Sequence, residues 1–418
     1  MIDLEVKDFF LKFSSSFEIS KYSFQEHALD YFKSLFKLEK KKVNCQNIAD
    51  YISPLNNQSI NHFLNSTRWS SSNLIDEIAR ESSFLLKKNN KPTALLLDEV
   101  SFRKKGNMSA CVSRQYLGCI GKVDNGQVAV MSGLSQGGYY TPINSELFMP
   151  EEWENDLYRR KKCKIPEVQK HVSKTEIALN LIDDAIKKDI GFDFVNFDAL
   201  YGNSNKLLEE LVDRKINFIG DIRSNHLIYF ENHKSEKTSV AQYVSSLSSS
   251  DFQKINIRNS TKGKLKARFH YVKVQVLTEE NRFLELILLI RRDPDGKTKY
   301  SLSNMENDHI KELAEKQGQR IFVEQIFKEG KNIVGMGDYQ VRSWQGFNNH
   351  IALCLLAMLL ILKIKLENIE CNYTSYTIRE IICLCIKTKI ESPELALETI
   401  LKRHYRYKEQ LERDRNIR

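Results

Sequence analysis

The first 90 residues place their apolar positions at helical spacing. Phe24 to Phe36 puts its apolar residues on one face of a helix, and Val43 to Leu64 forms two amphipathic stretches broken at Ser53-Pro54. The pattern predicts a helical domain over residues 1–90 with a helix-turn-helix outline. This outline is typical of DNA-binding domains but also of other small helical domains, so both interpretations stand.

Strand patterns begin at Thr93. The apolar run from Thr93 to Leu97 ends in Asp98-Glu99, and two further strand-like runs, Val112 to Leu117 and Gln127 to Ser132, flank Asp124-Asn125-Gly126. Because Asn-Gly is a strong hairpin-turn signal, we expect a tight turn at Asp124 to Gly126 between antiparallel strands.

Helices and strands alternate further along the chain. Ser173 to Glu176 has the sequence of a capping box and predicts the start of a helix. Phe192 to Phe197 predicts a strand, Asn203 to Arg214 a helix and Ile216 to Ile222 another strand. Strands followed by alternating helix and strand predict an α/β fold over residues 91–223, with a mixed sheet covered by helices.

Residues 224–305 return to strand character, since Ala267 to Leu277 and Phe283 to Ile290 are β-like and polar breaks separate them. We therefore expect an inserted β-rich domain at 224–305, after which helical spacing resumes over residues 306–370. The remaining segments are an amphipathic helix, a long apolar helix and a basic helical tail, at Arg320 to Lys331, Ser343 to Leu366 and 371–418.

Composition narrows the cellular setting. Of the 418 residues, 41% are hydrophobic and 28% charged, and the net charge of +9 attracts polyanions without separating nucleic acid from a membrane surface. The longest apolar run, Ile351 to Leu362, is shorter than the roughly 20 residues that cross a bilayer. The acidic amino terminus lacks signal-peptide features, so we expect a cytoplasmic protein without a membrane partner. The eight scattered cysteines have no zinc-ligand spacing and predict reduced, mostly buried thiols.

Two aspartates follow apolar strands. Asp98 comes after Ala94 to Leu97, and Asp198 after Phe194 to Phe197. Carboxylates at the ends of two strands of one sheet can share divalent metal, and two ions about 4 Å apart suit phosphodiester chemistry. The alternative for each aspartate alone is that it begins a turn.

One predicted helix carries a carboxylate between two cations. Arg320, Glu324 and Lys331 fall within about 40° of one another around a helix, so Glu324 could complete a metal site while Arg320 and Lys331 contact phosphates. The alternative is a solvated charged face with local ion pairs. Glu315 and Glu329 are rival carboxylates, but helical geometry points them away from this face.

These residues resemble a known family, the DDE transposases of bacterial insertion sequences in the group with a Y-x(2)-R-x(3)-E-x(6)-K signature. Arg320, Glu324 and Lys331 match the last three terms. The surroundings of Asp98 (LLLDEVSFRKKG), those of Asp198 (NFDALYGNSNKLLEEL) and the stretch GMGDYQVRSWQGFNNH after the glutamate are also similar to this family. The resemblance covers most of residues 25 to 365.

The resemblance implies an RNase H-like catalytic core with a β insertion, in which Asp98, Asp198 and Glu324 are catalytic and bind metal. It implies two Mg²⁺ ions, for which Mn²⁺ can substitute. The implied partner is double-stranded DNA, both as transposon ends and as target. The resemblance also implies a bacterial, nucleoid-associated protein that forms a dimer on the DNA ends. Gln317 stands where the signature has tyrosine. Glutamine keeps only the hydrogen-bonding capacity of a tyrosine, so we expect altered handling of the DNA end and an unaffected metal triad.

Further DNA-contacting candidates lie near the carboxylates. They are Lys104 and Lys105 after the first aspartate, and Arg342 and Trp344 before the long apolar helix. The lysines could bind phosphate or simply be exposed on a hairpin, and Trp344, like Tyr339, could stack on a base or pack in the core.

Three functions remain open at this point. The first is a cut-and-paste transposase that binds terminal inverted repeats, hydrolyses a strand at the ends and transfers it into target DNA. The second is an RNase H-like nuclease without strand transfer. The third is a co-opted DNA-binding regulator, although the complete set of carboxylates favours an enzyme.

Overall fold

The structure is a computed structural model that describes residues 2–19, 22–37, 42–51, 56–66, 69–87, 91–231, 236–260, 263–306 and 308–367. Its helices are α1 Ile2–Leu11, α2 Gln25–Lys37, α3 Cys45–Tyr51, α4 Asn57–Asn65, α5 Ser71–Leu86, α6 Leu157–Cys163, α7 Lys174–Lys187, α8 Ala199–Gly202, α9 Asn205–Asp213, α10 Val240–Ser245, α11 Ile310–Gly318, α12 Ile321–Asn332 and α13 Trp344–Glu367. Its strands are β1 Glu18–Ile19, β2 Tyr22–Ser23, β3 Thr93–Arg103, β4 Ser113–Leu117, β5 Lys122–Gln136, β6 Tyr139–Leu147, β7 Phe194–Phe197, β8 Phe218–Ile222, β9 Leu227–Ile228, β10 Thr238–Ser239, β11 Gln253–Ser260, β12 Gly263–Leu277, β13 Phe283–Arg292 and β14 Thr298–Ser303. The predicted basic tail, 371–418, lies outside the described residues.

A mixed sheet with β3 at its centre organises the chain. β3 pairs antiparallel with β5 along its whole length and parallel with β7, which in turn pairs parallel with β8. The other edge of β5 pairs with β4 and with β6. The order β6-β5-β3-β7-β8, with flanking helices, confirms the predicted α/β mixed sheet and agrees with an RNase H-like fold.

The strands of residues 224–305 extend this same sheet. β11, β12, β13 and β14 form consecutive antiparallel pairs, and β14 pairs antiparallel with β8 from Ser303 opposite Ile219 to Tyr300 opposite Ile222. The β-rich segment expected from the sequence is therefore continuous with the core through β8.

Helices cover both faces of the sheet. On one face, a side chain at Gly133 of β5 would meet Ile326 of α12 at 2.7 Å, so glycine lets that helix lie close. On the other face, Leu181 of α7 and Ile75 of α5 border Ser132, the neighbouring position on β5. The capping box predicted at Ser173 to Glu176 is present at the start of α7.

The long apolar helix α13 is a core helix. It is long and apolar enough to cross a membrane, but every residue from Asn349 to Leu362 is buried. It packs between β6 and the amino-terminal helices α2, α4 and α5. His350 Nδ1 and the Tyr31 hydroxyl form a 2.8 Å hydrogen bond. The Asn349 side-chain amide donates to the Leu64 carbonyl at 2.9 Å. The helix is apolar all round because protein surrounds it, as predicted, and the amino-terminal helices share its core.

The turn predicted at Asp124 to Gly126 is wrong. These residues lie inside β5, and the chain reverses earlier, before Lys122, where Gly121 has a φ of 65°. Asn125 stays extended because its side-chain amide donates to the carbonyls of Lys104 and Gly106. Such contacts, about 20 residues away in sequence, override the local turn preference of Asn-Gly.

The described cysteines agree with the prediction of mostly buried thiols. Cys45, Cys111, Cys163 and Cys354 are buried and Cys119 is exposed, and none of these five forms a disulfide.

Candidate active site

The register between β3 and β7 brings two aspartates together. The last parallel pair is Leu97 opposite Phe197, and Asp98 and Asp198 are the next residue on each strand. Asp98 is not at a strand end, as the sequence had suggested, because β3 continues to Arg103 against β5. Only β7 ends here, which leaves an open edge where both carboxylates project.

Glu99 joins this pair. Ligand oxygens of Asp98, Glu99 and Asp198 lie within 4.8 Å of one another, and each residue is partly buried. Glu99 was not among the predicted site residues, and neighbouring residues of a strand generally face opposite sides of the sheet. Because β7 ends at Phe197, Glu99 has no paired residue in β7, and its carboxylate can turn toward the aspartates. The only sequence signal for Glu99 was its position next to Asp98.

Each carboxylate of β3 meets a cation from the helix on its own face. Arg320 Nη2, at the start of α12, donates to Asp98 Oδ2 at 2.7 Å, and Lys174 Nζ of α7 lies 2.7 Å from Glu99 Oε1. Asp198 caps α8 by accepting a 2.9 Å hydrogen bond from the Leu200 amide. Two cations thus contact the group of three carboxylates.

Burial and charge disfavour ionisation of Asp98. Burial raises the pKa of Asp98 to about 6, the neighbouring charges of Asp198 and Glu99 push it in the same direction, and Arg320 opposes them. A carboxyl group held this way gains strongly from a divalent cation, which stabilises its charged form.

Arg320, a predicted phosphate contact, is buried beside the carboxylates. Its side chain is 13% exposed, and its Nε and Nη1 atoms have no hydrogen-bond partner among the described residues. Burial lowers the pKa of Arg320, but the charges of Asp98, Asp198 and Asp221 outweigh this and leave it raised. Arg320 therefore faces the carboxylates, and its Nε and Nη1 atoms remain available as hydrogen-bond donors.

Glu324 is outside the three-carboxylate group of the described chain. It is exposed on α12, one turn beyond Arg320. Lys331, at the other end of this helix, lies 5.7 Å from the ring centre of Phe102, so α12 runs alongside β3. The rival Glu329 is buried and accepts hydrogen bonds from Tyr140 and Lys365, which excludes it as a free ligand.

Gln317, at the tyrosine position of the signature, points into the protein. It is 4% exposed, and its Nε2 donates to Ser301 Oγ at 2.6 Å. Ser301 in turn donates to Asp221 Oδ1 at 2.6 Å. The expected hydrogen bond near a DNA end is therefore replaced by a buried network that joins α11 to β14 and β8.

Tyr201 is buried beside the carboxylates. Its side chain is fully buried, and its hydroxyl has no partner among the described residues. Burial raises the pKa of Tyr201 well above its ordinary value, and the charges of Glu99, Asp98 and Asp198 raise it further. The next residue, Gly202, allows α8 to touch β8, because a Cβ there would lie 2.0 Å from the Asp221 carbonyl oxygen.

The other DNA-binding candidates divide into packed and exposed residues. Lys104 Nζ donates to the Tyr339 carbonyl at 3.1 Å and lies 3.2 Å from the centre of its ring, and burial lowers the pKa of Lys104 to about 7. Lys105 and Arg342 are exposed, and Trp344 is half-buried at the start of α13. Tyr339 is 3% exposed and belongs to the core.

Comparisons with known proteins agree with this geometry. A family model described as "DDE superfamily endonuclease" matches residues 23–243, and one described as "Transposase DDE domain" matches residues 165–360. The chain is 27% identical over 316 residues to a probable transposase for insertion sequence element IS701 from Microchaete diplosiphon. That alignment covers 72% of this chain and 73% of the relative.

Proposed function

The chain belongs to the DDE superfamily of endonucleases and is a transposase, and from this premise we propose that it hydrolyses DNA at the ends of an insertion sequence and joins them to target DNA. One observation carries the proposal. Asp98 and Asp198 directly follow the last residue pair of two parallel strands, and their oxygens lie within 4.8 Å of one another. Rigid strands therefore hold two carboxylates in reach of one cation.

The superfamily implies dependence on divalent metal, and the donors of the site fit it. Carboxylate oxygens are the ligands that Mg²⁺ and Mn²⁺ prefer. We propose two ions, held by Asp98, Asp198 and Glu324. When bound, they supply activation of the attacking oxygen and stabilisation of the leaving oxygen.

The position of Glu324 on α12 supports the proposal that it is the third ligand. Arg320 contacts Asp98, and Glu324 lies one turn further along the same helical face, about 6 Å along the axis. The contact between Lys331 and Phe102 supports the direction of the helix beside β3. As a ligand, Glu324 would reach the cation from the α12 side.

Arg320 has two roles in this proposal. It neutralises Asp98 before a cation binds, through the 2.7 Å contact of Nη2. Its Nε and Nη1 atoms, which have no partner within the described chain, would donate to a DNA phosphate near the cleaved bond.

Several surfaces would hold double-stranded DNA around the site. The helix pair α3 and α4 suits transposon-end recognition, since Gln58, Asn61 and His62 of α4 are exposed. Further candidates lie on segments that follow β3 or border α13, namely Lys105, Arg342, Lys331 and Trp344. Lys104 supports that surface through its contact with Tyr339. We further propose a dimer that brings two DNA ends together, on the nucleoid in the cytoplasm.

The test uses the purified chain, a labelled duplex with the terminal repeats of its element, a target plasmid, and Mg²⁺ or Mn²⁺. Wild type is expected to nick the ends and form joined products. Asp98→Asn, Asp198→Asn and Glu324→Gln should bind the duplex but nick at least 100-fold more slowly. Glu315→Gln, an exposed carboxylate of α11, is the matched control.

Each alternative has its own outcome in this experiment. Cleavage without joined product would identify a nuclease, and binding without cleavage in any metal would identify a regulator. If Glu324→Gln nicks DNA as fast as wild type, Glu324 is not a metal ligand and only the two aspartates remain as proposed ligands.

A further inference from the structure

Glu99 shares the volume in which Asp98 and Asp198 meet. It approaches from the opposite face of β3, where Asp98 faces α12 and Glu99 faces α7. Its ligand oxygen nevertheless lies within 4.8 Å of those of both aspartates. A cation between the two aspartates is therefore also within reach of Glu99.

Lys174 forms an ion pair with Glu99. Its Nζ lies 2.7 Å from Glu99 Oε1, and both side chains are partly exposed, at 24% and 19%. Lys174 is the first residue of α7, where the helix dipole disfavours positive charge. The Glu99 carboxylate compensates this unfavourable position, and a divalent cation would compete with Lys174 for it.

Tyr201 is an independent observation that points to a ligand. Its fully buried hydroxyl has no partner among the described residues, and buried polar groups are rarely left unpaired. Its ring packs edge-on against Phe197, with 6.4 Å between ring centres, which fixes its direction. Among the neighbouring charges that act on the hydroxyl, Glu99 has the largest effect. The hydroxyl is thus buried near these charged groups and has no partner among the described residues.

We propose that Glu99 is a further ligand of the divalent cation, exchanging Lys174 for the metal, and that Tyr201 is a positioning residue whose hydroxyl donates a hydrogen bond to the bound Glu99 carboxylate. The inference rests on the metal site of the proposed function. It assigns the unpaired hydroxyl a partner in the cation-bound state and gives the ion pair with Lys174 the role of a temporary counterion. Carboxylate ligands of metals commonly accept such supporting hydrogen bonds.

A structural role for Glu99 makes different predictions. If the Glu99–Lys174 pair only tied α7 to β3, loss of Glu99 would lower stability and leave cation affinity unchanged. A purely structural Tyr201 would likewise affect the cation-free protein. The two roles are therefore separable by measuring affinity and stability on the same variants.

The experiment measures Mn²⁺ binding to the full chain without DNA, from the electron paramagnetic resonance signal of free Mn²⁺. Glu99→Gln and Tyr201→Phe are each expected to raise the Kd about 10-fold or more. Lys174→Gln should lower the Kd, because it removes the competitor of the metal, and this gain should vanish in the Glu99→Gln/Lys174→Gln double variant. Asp184→Asn, which breaks the ion pair between Asp184 and Lys188, is the matched control and should leave the Kd unchanged.

Asp98→Asn separates the two levels of the argument. If Asp98→Asn binds Mn²⁺ as tightly as wild type, the metal site of the proposed function is wrong. If Asp98→Asn weakens binding while Glu99→Gln does not, only the role of Glu99 is overturned. Should Glu99→Gln fail to fold, an unchanged Kd in Lys174→Gln overturns it equally.

Thermal unfolding decides the role of Tyr201. Without added metal, the melting temperature of Tyr201→Phe should equal or exceed that of wild type, since the variant loses a hydroxyl that has no partner within the described chain. The rise in melting temperature on adding Mn²⁺ should be smaller than in wild type. A lower cation-free melting temperature with an unchanged Kd would overturn the positioning role.

Discussion

Arg320 and Asp98 form an ion pair across 2.7 Å that joins α12 to β3 inside the protein. Both side chains are largely buried, at 13% and 16% exposure, and Arg320 compensates a carboxylate that burial destabilises. The free energy of unfolding should therefore depend on Arg320 and on the ionisation of Asp98.

Removing Arg320 should destabilise the cation-free chain. Arg320→Gln leaves Asp98 buried beside Asp198 without its cation, and such a change costs about 3 kcal/mol of unfolding free energy. Urea denaturation without divalent metal measures this loss. Arg214→Gln, which breaks a more exposed pair with Asp183, should cost less than about 1 kcal/mol. Equal losses in the two variants would contradict a special role for the Asp98 pair.

Asp98 should also give stability a pH dependence. Its folded pKa of about 6 lies above the ordinary value, so the folded state holds this proton more tightly than the unfolded state does. The contribution is complete at low pH and is lost as the pH rises through about 6. Without metal, wild type should lose about 2 kcal/mol more than Asp98→Asn between about pH 4 and pH 7.

Parallel denaturation series of wild type and Asp98→Asn measure this difference. The comparison between the two proteins removes the contributions of other buried carboxyls, such as Asp221 and Glu146, whose pKa values burial also raises. Identical pH profiles would show that Asp98 is not buried as described.

Introducing a tyrosine at position 317 should destabilise the protein. Gln317 is enclosed and bonded to Ser301, so the larger ring of Gln317→Tyr overpacks the space and costs about 1–3 kcal/mol. Thermal unfolding measures the loss, and Lys311→Tyr on the exposed face of the same helix is the control. A stable Gln317→Tyr variant with faster nicking would mean that position 317 faces DNA.

Gly202 should be required for activity. Its substitution by alanine forces a Cβ against the Asp221 carbonyl oxygen and displaces α8, which Asp198 caps. Because displacement of a catalytic group by about 1 Å can cost 100-fold in rate, Gly202→Ala should lower nicking at least about 10-fold while DNA binding persists. Gly118→Ala, where nothing lies within 4 Å of the added Cβ, is the control for the nicking assay. Full activity in Gly202→Ala would show that α8 can shift without moving Asp198.

The sequence indicated the aspartates because strand patterns are local. Apolar runs before Asp98 and Asp198 predict buried strands, and parallel pairing then brings their ends together. Helical periodicity likewise placed Arg320 and Glu324 on one face of a helix. These inferences needed only neighbouring residues.

Glu99, Gln317 and the turn near Asn125 depended on partners distant in the sequence. Glu99 enters the site because β7 ends beside it, and Gln317 turns inward to meet Ser301. Asn125 is extended because of the carbonyls of Lys104 and Gly106. Periodicity does not encode where a neighbouring strand stops or which distant carbonyl needs a donor.

The continuous sheet has a consequence for the rigidity of the active site. β14 is bonded to β8, and β8 to β7, whose last residue precedes Asp198, so the outer strands and this carboxylate belong to one hydrogen-bonded plate without an intervening hinge. The paired strands therefore hold Asp198 at a fixed distance from the outer edge of the sheet.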